Sequence, residues 1–275
     1  MKSSNVATKI WYIVYPLLFY YAVVLITMTV AQWILGSGNE QYVICQLIAT
    51  VVAIPCMLPF YRQDQALKGI SVGKPKVDKR KLLHGLWAAI IVICISVACN
   101  NLISMTPLVE LSEGFKEANA GFYGGTLVAE LISSAIATPF LEELVFRGIV
   151  FGRLKSMLPK PAAILISAVC FAIMHFNIVQ FLYALLIGIV LSLLVEKAEG
   201  LYVAVVGHVA ANALAVVRTE TGFLAETVDH SVFAWVSSVI VLLVGIALLV
   251  GYMRMDVSKY AEKTLQSLID VLRSE

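Results

Sequence analysis

The chain has 275 residues, of which 60% are hydrophobic and only 14% charged, with a formal net charge of +2 at pH 7. Soluble globular proteins hold roughly 45–50% apolar and about 25% charged residues. A mean hydropathy of +0.88 therefore excludes a water-soluble single-core enzyme, and the same apolar content excludes a disordered chain. Cys45, Cys56, Cys94, Cys99 and Cys170 all sit in apolar stretches and form no C-x-x-C pair. They read as small buried side chains rather than a disulfide framework or a zinc finger. The fold class that remains is an all-α, polytopic membrane protein built as a single membrane domain, 1–275.

A helix crosses ~30 Å of hydrocarbon with about 20 apolar residues. The first such stretch, 10–35, follows Lys9 and has no small-residue cleavage site, so it reads as a retained helix rather than a removed signal peptide. The second and third run over 42–61 and 82–105. A fourth, 122–150, is apolar but carries Glu130, Glu142, Glu143 and Arg147. The run 161–195 holds 35 residues without a formal charge, too many for one span, and His175-Phe176-Asn177 is where it folds into a fifth and a sixth. The seventh and eighth span 201–217 and 231–253. Beyond them, 253–275 spaces Val257, Ala261, Leu265, Leu268 and Leu272 along one face, which suits an amphipathic helix on the inner membrane surface.

Lys and Arg concentrate in cytoplasmic loops. Eight spans with both termini inside put 17 of the 20 Lys and Arg on the cytoplasmic side, leaving Lys116 and Arg218 outside and Arg147 within the membrane. The outer loops are acidic, with Glu110, Glu113, Glu117, Glu220, Glu226 and Asp229. Seven or nine spans would scramble this separation. The same orientation accounts for the basic run from Lys74 to Lys81, so the expected surroundings are the lipid bilayer and no nucleic acid.

An ionisable side chain at mid-membrane costs at least ~2.5–3.5 kcal/mol on insertion scales. Three clusters bear that cost: Glu142-Glu143-Leu-Val-Phe-Arg147, Phe171-Ala-Ile-Met-His175 and His208-Val-Ala-Ala-Asn212. Glu143 and Arg147, four apart with the acid first, form the favoured ion-pair order. Glu142, rotated ~100° from Glu143, meets Phe146 at its own i+4 position and lacks a local counter-charge. Pro139 donates no amide, which predicts a bend and a free carbonyl at Ala135. At 1.5 Å per residue, Glu142 is about 16 Å in from Arg153, His175 about 22 Å from Lys160 and His208 about 14 Å from Glu199. That common layer predicts one wet pocket beneath the inner leaflet, holding Glu142, His175, His208 and Asn212. Asn177 and Gln180 fall near His175, either lining the pocket or anchoring the turn. Glu130, about 18 Å from Glu142, reads as structural or as part of a substrate path.

A carboxylate and two imidazoles activate water, and an Asn amide steadies an oxyanion; this pattern suits hydrolysis of an acyl bond, most naturally a peptide. No H-E-x-x-H occurs, which removes zincin chemistry, and the G-x-S-x-G match Gly69-Ile-Ser-Val-Gly73 falls in the basic loop after the second span rather than on the strand-to-helix turn that a serine elbow needs. The five Asp (Asp64, Asp78, Asp229, Asp256, Asp270) are all assigned to loops or the tail, which removes an aspartyl dyad.

Glu-Glu-x-x-x-Arg, Phe-x-x-x-His and His-x-x-x-Asn, in that order on successive spans, resemble the three motifs of the CAAX protease and bacteriocin-processing family of intramembrane endopeptidases. Leu-Glu-Glu-Leu-Val-Phe-Arg-Gly fits the bacterial form, and the resemblance covers about 122–217. It implies that Glu142 with His175 activates the attacking water, that His208 and Asn212 bind the oxyanion, and that Glu143 and Arg147 support the site. It leaves metal open. Glu142, His175 and His208 resemble the His₂Glu set of catalytic zinc proteases, while relatives are also described as using the Glu–His pair on water directly. The expectation is a site that requires no cofactor, with one divalent zinc as the other reading.

The resulting expectation is an intramembrane endopeptidase opening toward the cytoplasm and acting on a peptide or membrane-associated protein, with bacteriocin processing or self-immunity as physiological contexts. A non-catalytic immunity or scaffold protein that binds a peptide or protein in the same cavity is the alternative. A proton-coupled transporter is disfavoured, since no repeated halves or matched pair of interrupted helices occurs.

Overall fold

The computed structural model describes residues 5–69 and 79–257. The expected amphipathic tail, apart from its first residues, and the basic segment 74–78 lie outside the described residues. Nine longer helices carry the described chain: α1 (Val6–Leu35), α2 (Asn39–Leu67), α3 (Lys79–Ser104), α4 (Glu113–Phe122), α5 (Leu127–Leu154), α6 (Lys160–Ile173), α7 (Ile178–Ala198), α8 (Tyr202–Thr221) and α9 (Val232–Arg254). No strand occurs among the described residues, so the fold is all-α. Side-chain caps set several starts: Ser112 accepts from the Phe115 amide before α4, Thr126 from Ala129 before α5, Asn177 from Gln180 before α7 and Ser231 from Ala234 before α9.

Six helices, α1, α2, α3, α7, α8 and α9, are long and apolar enough to cross a membrane. α4 and α5 meet at a 109° bend and make a seventh if counted as one span. α6 has 14 residues, ~21 Å of rise, which is short of ~30 Å of hydrocarbon. The chain is therefore polytopic, and the eight full spans expected from hydropathy are not confirmed. The difference lies at the expected fold point. Phe176 takes φ 56 and Asn177 caps α7, so α6 stops after a partial crossing.

α1 packs against α2, α3 against α8 and α9, and α6 against α7. α5 threads between α2, α6 and α8. Apolar clusters fill the end of the bundle where α5 and α7 finish and α6 and α8 begin, with Ile149, Phe151, Leu191, Leu194 and Val203 all at 1% exposure or less. A polar lock sits in the same region. Arg153 Nε donates to Asp64 Oδ2 at 2.7 Å and Nη1 to the Tyr12 carbonyl at 2.6 Å, with the guanidinium stacked 4.0 Å over the Tyr12 ring. Asp64 thus lies on α2 and is only 4% exposed, not in a loop. The polar run Arg62-Gln-Asp-Gln-Ala-Leu continues the helix beyond its apolar stretch because Arg153 supplies a partner. The expectation that no Asp sits on a membrane helix is corrected there, although a single paired Asp makes no dyad.

Candidate active site

α5 is not a uniform helix. Wide turns, closed one residue further along than in an ordinary α-helix, occupy Leu131–Ala137 and Leu144–Phe151, and an α-helical segment, Thr138–Glu143, lies between them. Wide turns of this kind concentrate at functional sites. The middle segment carries Pro139, Glu142 and Glu143.

Glu143 and Arg147 form the expected pair, Nη1 to Oε1 at 2.9 Å, with both side chains fully buried. The same Oε1 lies 2.8 Å from His208 Nδ1, a contact across helices that spacing on α5 did not reveal. A carboxylate only accepts, so Nδ1 carries the proton and donates. The other ring nitrogen, Nε2, lies 3.7 Å from Glu142 Oε2. His175 follows the same logic: its Nδ1 lies 3.0 Å from the Phe171 carbonyl, so Nδ1 donates there and Nε2 is left as the acceptor. Glu142 stands free of the Glu143–Arg147 pair, as its rotation on the helix predicted.

Phe171 is the residue that sequence reasoning left without a role. Its ring meets His175 edge-on at 4.9 Å and His208 edge-on at 5.9 Å. Arg147 stacks on it at 4.4 Å, within cation–π range. One aromatic side chain thereby fixes both imidazoles and the buried cation. Its signal was the leading Phe of Phe-x-x-x-His.

Asn212 Nδ2 donates to the Ser134 carbonyl at 3.0 Å. The reason lies in the wide turn. The Thr138 amide bonds Ser133, five residues back, so the next amide in that register would come from Pro139 and reach Ser134. Proline has none. The carbonyl that Pro139 frees is Ser134's, one place before the Ala135 expected from ordinary helix spacing, and Asn212 takes it. Asn177 is an anchor: Nδ2 donates to the His175 carbonyl at 3.0 Å and Oδ1 accepts from the Gln180 amide at 2.9 Å. Glu130 is fully buried and accepts from the Gly125 amide at 3.0 Å, which closes the α4–α5 bend and leaves it outside the pocket.

A cavity of about 400 Å³ is lined by Glu142, His175, His208 and Asn212, together with Thr138, Phe171 and Gln180. A smaller one of about 230 Å³, walled by Tyr20, Tyr42, Phe122, Phe146, Met174 and Phe176, adjoins it at Glu142, Phe171, His175 and Gln180. The structure thus brings Glu142, His175, His208 and Asn212 to one space and keeps Glu143 and Arg147 behind its wall. Among the described residues, no group of three His, Cys, Asp or Glu side chains is arranged to hold a metal ion, so no step below is routed through one.

Residues 124–214 match the family model described as Type II CAAX prenyl endopeptidase Rce1-like. That segment runs from just before α5 into α8 and contains Glu142, His175, His208 and Asn212. The chain is also similar to a protein of Bacillus subtilis (strain 168) named "Putative membrane peptidase YdiL", 25% identical over 216 residues that cover 64% of this chain and 85% of that one. No solved structure matches.

Proposed function

We propose that the chain is a peptidase of the CAAX protease and bacteriocin-processing family, as its Rce1-like segment 124–214 supports, and that it hydrolyses a peptide bond at Glu142 and His175. The family match supports an intramembrane CAAX-type peptidase in general. The assignment of individual roles rests on the site geometry. A water molecule between Glu142 and His175 gives up a proton to this pair while its oxygen attacks the scissile carbonyl carbon. The carbonyl oxygen becomes an oxyanion, steadied by the second N–H of the Asn212 amide and by His208 when Nε2 also carries a proton. Collapse restores the C=O, breaks the C–N bond and returns the proton to the departing amine. Glu143 holds His208 in orientation, and Arg147 neutralises Glu143 in an apolar wall.

The observation that carries this reading is that Glu142, which has no Lys or Arg partner among the described residues, shares a cavity with two imidazoles whose Nδ1 protons are already committed. The expected substrate is a peptide or a membrane-associated protein, and the proposed chemistry is written with these side chains and water alone. Glu142→Gln and His175→Ala should each lower peptide cleavage by purified protein about 10²–10⁴-fold, the usual contribution of general acid–base catalysis, without loss of folding. Full activity in both variants would refute the mechanism. Immunity or partner binding retained in a folded, inactive Glu142→Gln chain would favour the non-catalytic reading.

A further inference from the structure

We infer that this site is served from the end of the bundle that carries the acidic loops, so that its substrates are peptide segments exposed outside the cytoplasm. The inference rests on the peptidase reading above and adds the side from which substrate arrives. It reverses the expectation of a cytoplasmic opening.

The cavity runs in one direction only. From Glu142 and His208 it passes Asn212 and reaches Arg218 near the end of α8, Ser104 at the end of α3, Asn119 on α4 and Phe223 in the following loop. Ten residues along α8 separate His208 from Arg218, about 15 Å of rise. None of its lining residues comes from the opposite ends of the helices. That opposite end is packed shut by Ile149 and Phe151 of α5, Leu191 and Leu194 of α7 and Val203 of α8, and the buried Arg153–Asp64 pair sits there with Tyr12.

Charge identifies the two ends. The closed end carries Lys155, Lys160 and Lys197, and the basic start of α3 at Lys79–Lys81. Among the described residues the open end carries only Lys116 and Arg218 as cations, against Glu110, Glu113, Glu117, Glu220, Glu226 and Asp229. Basic residues mark the cytoplasmic side, so the closed end is cytoplasmic and the mouth faces out. The mouth is polar without being acidic throughout. Arg218 Nη2 is held by Asn101 Oδ1 at 2.9 Å and Thr227 Oγ1 at 3.0 Å, and no carboxylate lies within 4 Å of the guanidinium among the described residues. A polypeptide backbone, rich in carbonyl acceptors, suits such a rim.

Access is tested by cysteine labelling of intact cells with a membrane-impermeant maleimide. None of the five native cysteines lines the cavity, so the native chain serves as the blank. Ser96→Cys on the cavity wall and Thr219→Cys at the mouth should label in intact cells. Arg62→Cys, exposed at the closed end, should label only after permeabilisation. Ser96→Cys that labels only after permeabilisation, or not at all while Thr219→Cys labels, overturns the inference; so does Arg62→Cys labelled from outside. As a second measurement, the native chain in right-side-out vesicles should cleave an added impermeant fluorogenic peptide and lose that activity in inverted vesicles; the opposite preference overturns the inference. Cleavage absent in both vesicle types and in detergent instead overturns the peptidase reading, while the labelling still decides the side of access.

Discussion

Replacing Glu143 by Gln separates what that residue does for folding from what it does for chemistry. The substitution keeps side-chain volume and an acceptor oxygen but removes the charge opposite Arg147. The Arg147 side chain is fully buried, and its Nε and Nη2 already lack partners among the described residues. Removing one member of a buried ion pair costs about 3–5 kcal/mol, against a total stability of roughly 5–15 kcal/mol for a folded protein, so Glu143→Gln should melt markedly earlier than the native chain. Adding Arg147→Met removes the stranded charge and fills the space beside Phe171 and Gly188, the latter only 3.2 Å from Nη2 if given a Cβ. Replacing a buried pair by apolar groups of similar volume is often neutral or stabilising, so the double variant should recover most of the lost stability. Activity should not follow. Both variants lack the carboxylate that orients His208 through its 2.8 Å contact, and loss of such an outer partner costs about 10–100-fold. Thermal melting in detergent and peptide cleavage well below both melting points measure the two effects separately. A double variant as unstable as Glu143→Gln refutes the ion-pair account, and one with native turnover refutes the orienting role.

Two further outcomes follow from the helix contacts around the cavity. Asn212→Ala strands the Ser134 carbonyl and should cost about 1–3 kcal/mol. Pro139→Ala supplies an amide in the five-residue register, so the double variant should be less destabilised than the sum of the singles; additive melting shifts would refute the shared carbonyl. Gly207→Ala should cost about 1–3 kcal/mol by overpacking, because its Cβ would stand 2.8 Å from Val92 Cγ2 and 3.2 Å from the Ala88 carbonyl. The displacement passes to His208 next door, so cleavage per folded molecule should fall as well, and unchanged melting would refute the close approach of α3 and α8.

Composition made the all-α membrane fold legible, because long apolar runs permit little else. It failed where length and composition disagree with packing. α6 counts as a span only if the charge-free run 161–195 divides evenly, and the turn at Phe176 divides it unevenly. The site was legible as far as helical spacing reaches: the Glu143–Arg147 pair and the freedom of Glu142 both follow from four-residue periodicity. His208 bonding Glu143, 65 residues away, lies beyond any local pattern. The carbonyl freed by Pro139 was misplaced by one residue because the wide turn shifts the register, and no residue type in 131–137 announces such a turn.

The direction of the cavity was hidden for a different reason. Depth measured along each helix puts Glu142, His175 and His208 in a common layer, but depth alone is symmetric: it does not say which side of that layer is packed. What breaks the symmetry is side-chain volume. Toward the ends of α5 and α7 stand Ile149, Phe151, Leu191 and Leu194, all at 1% exposure or less, while toward the ends of α3 and α8 the small side chains Ser104, Ala215 and Thr219 line open space that Phe115, Tyr123 and Phe223 border without filling. Glu142 and Glu143 are successive residues at nearly one depth, about 1.5 Å of rise apart, and differ instead in the direction they face around α5. Glu143 faces the packed interior, where only a counter-charge offsets burial, and Arg147 provides it. Glu142 faces the cavity, which has room for water, so a carboxyl group persists there without a Lys or Arg partner among the described residues. Rotation about α5 thus keeps Glu142 chemically free, and packing along the helices separately underlies the inferred side of substrate entry.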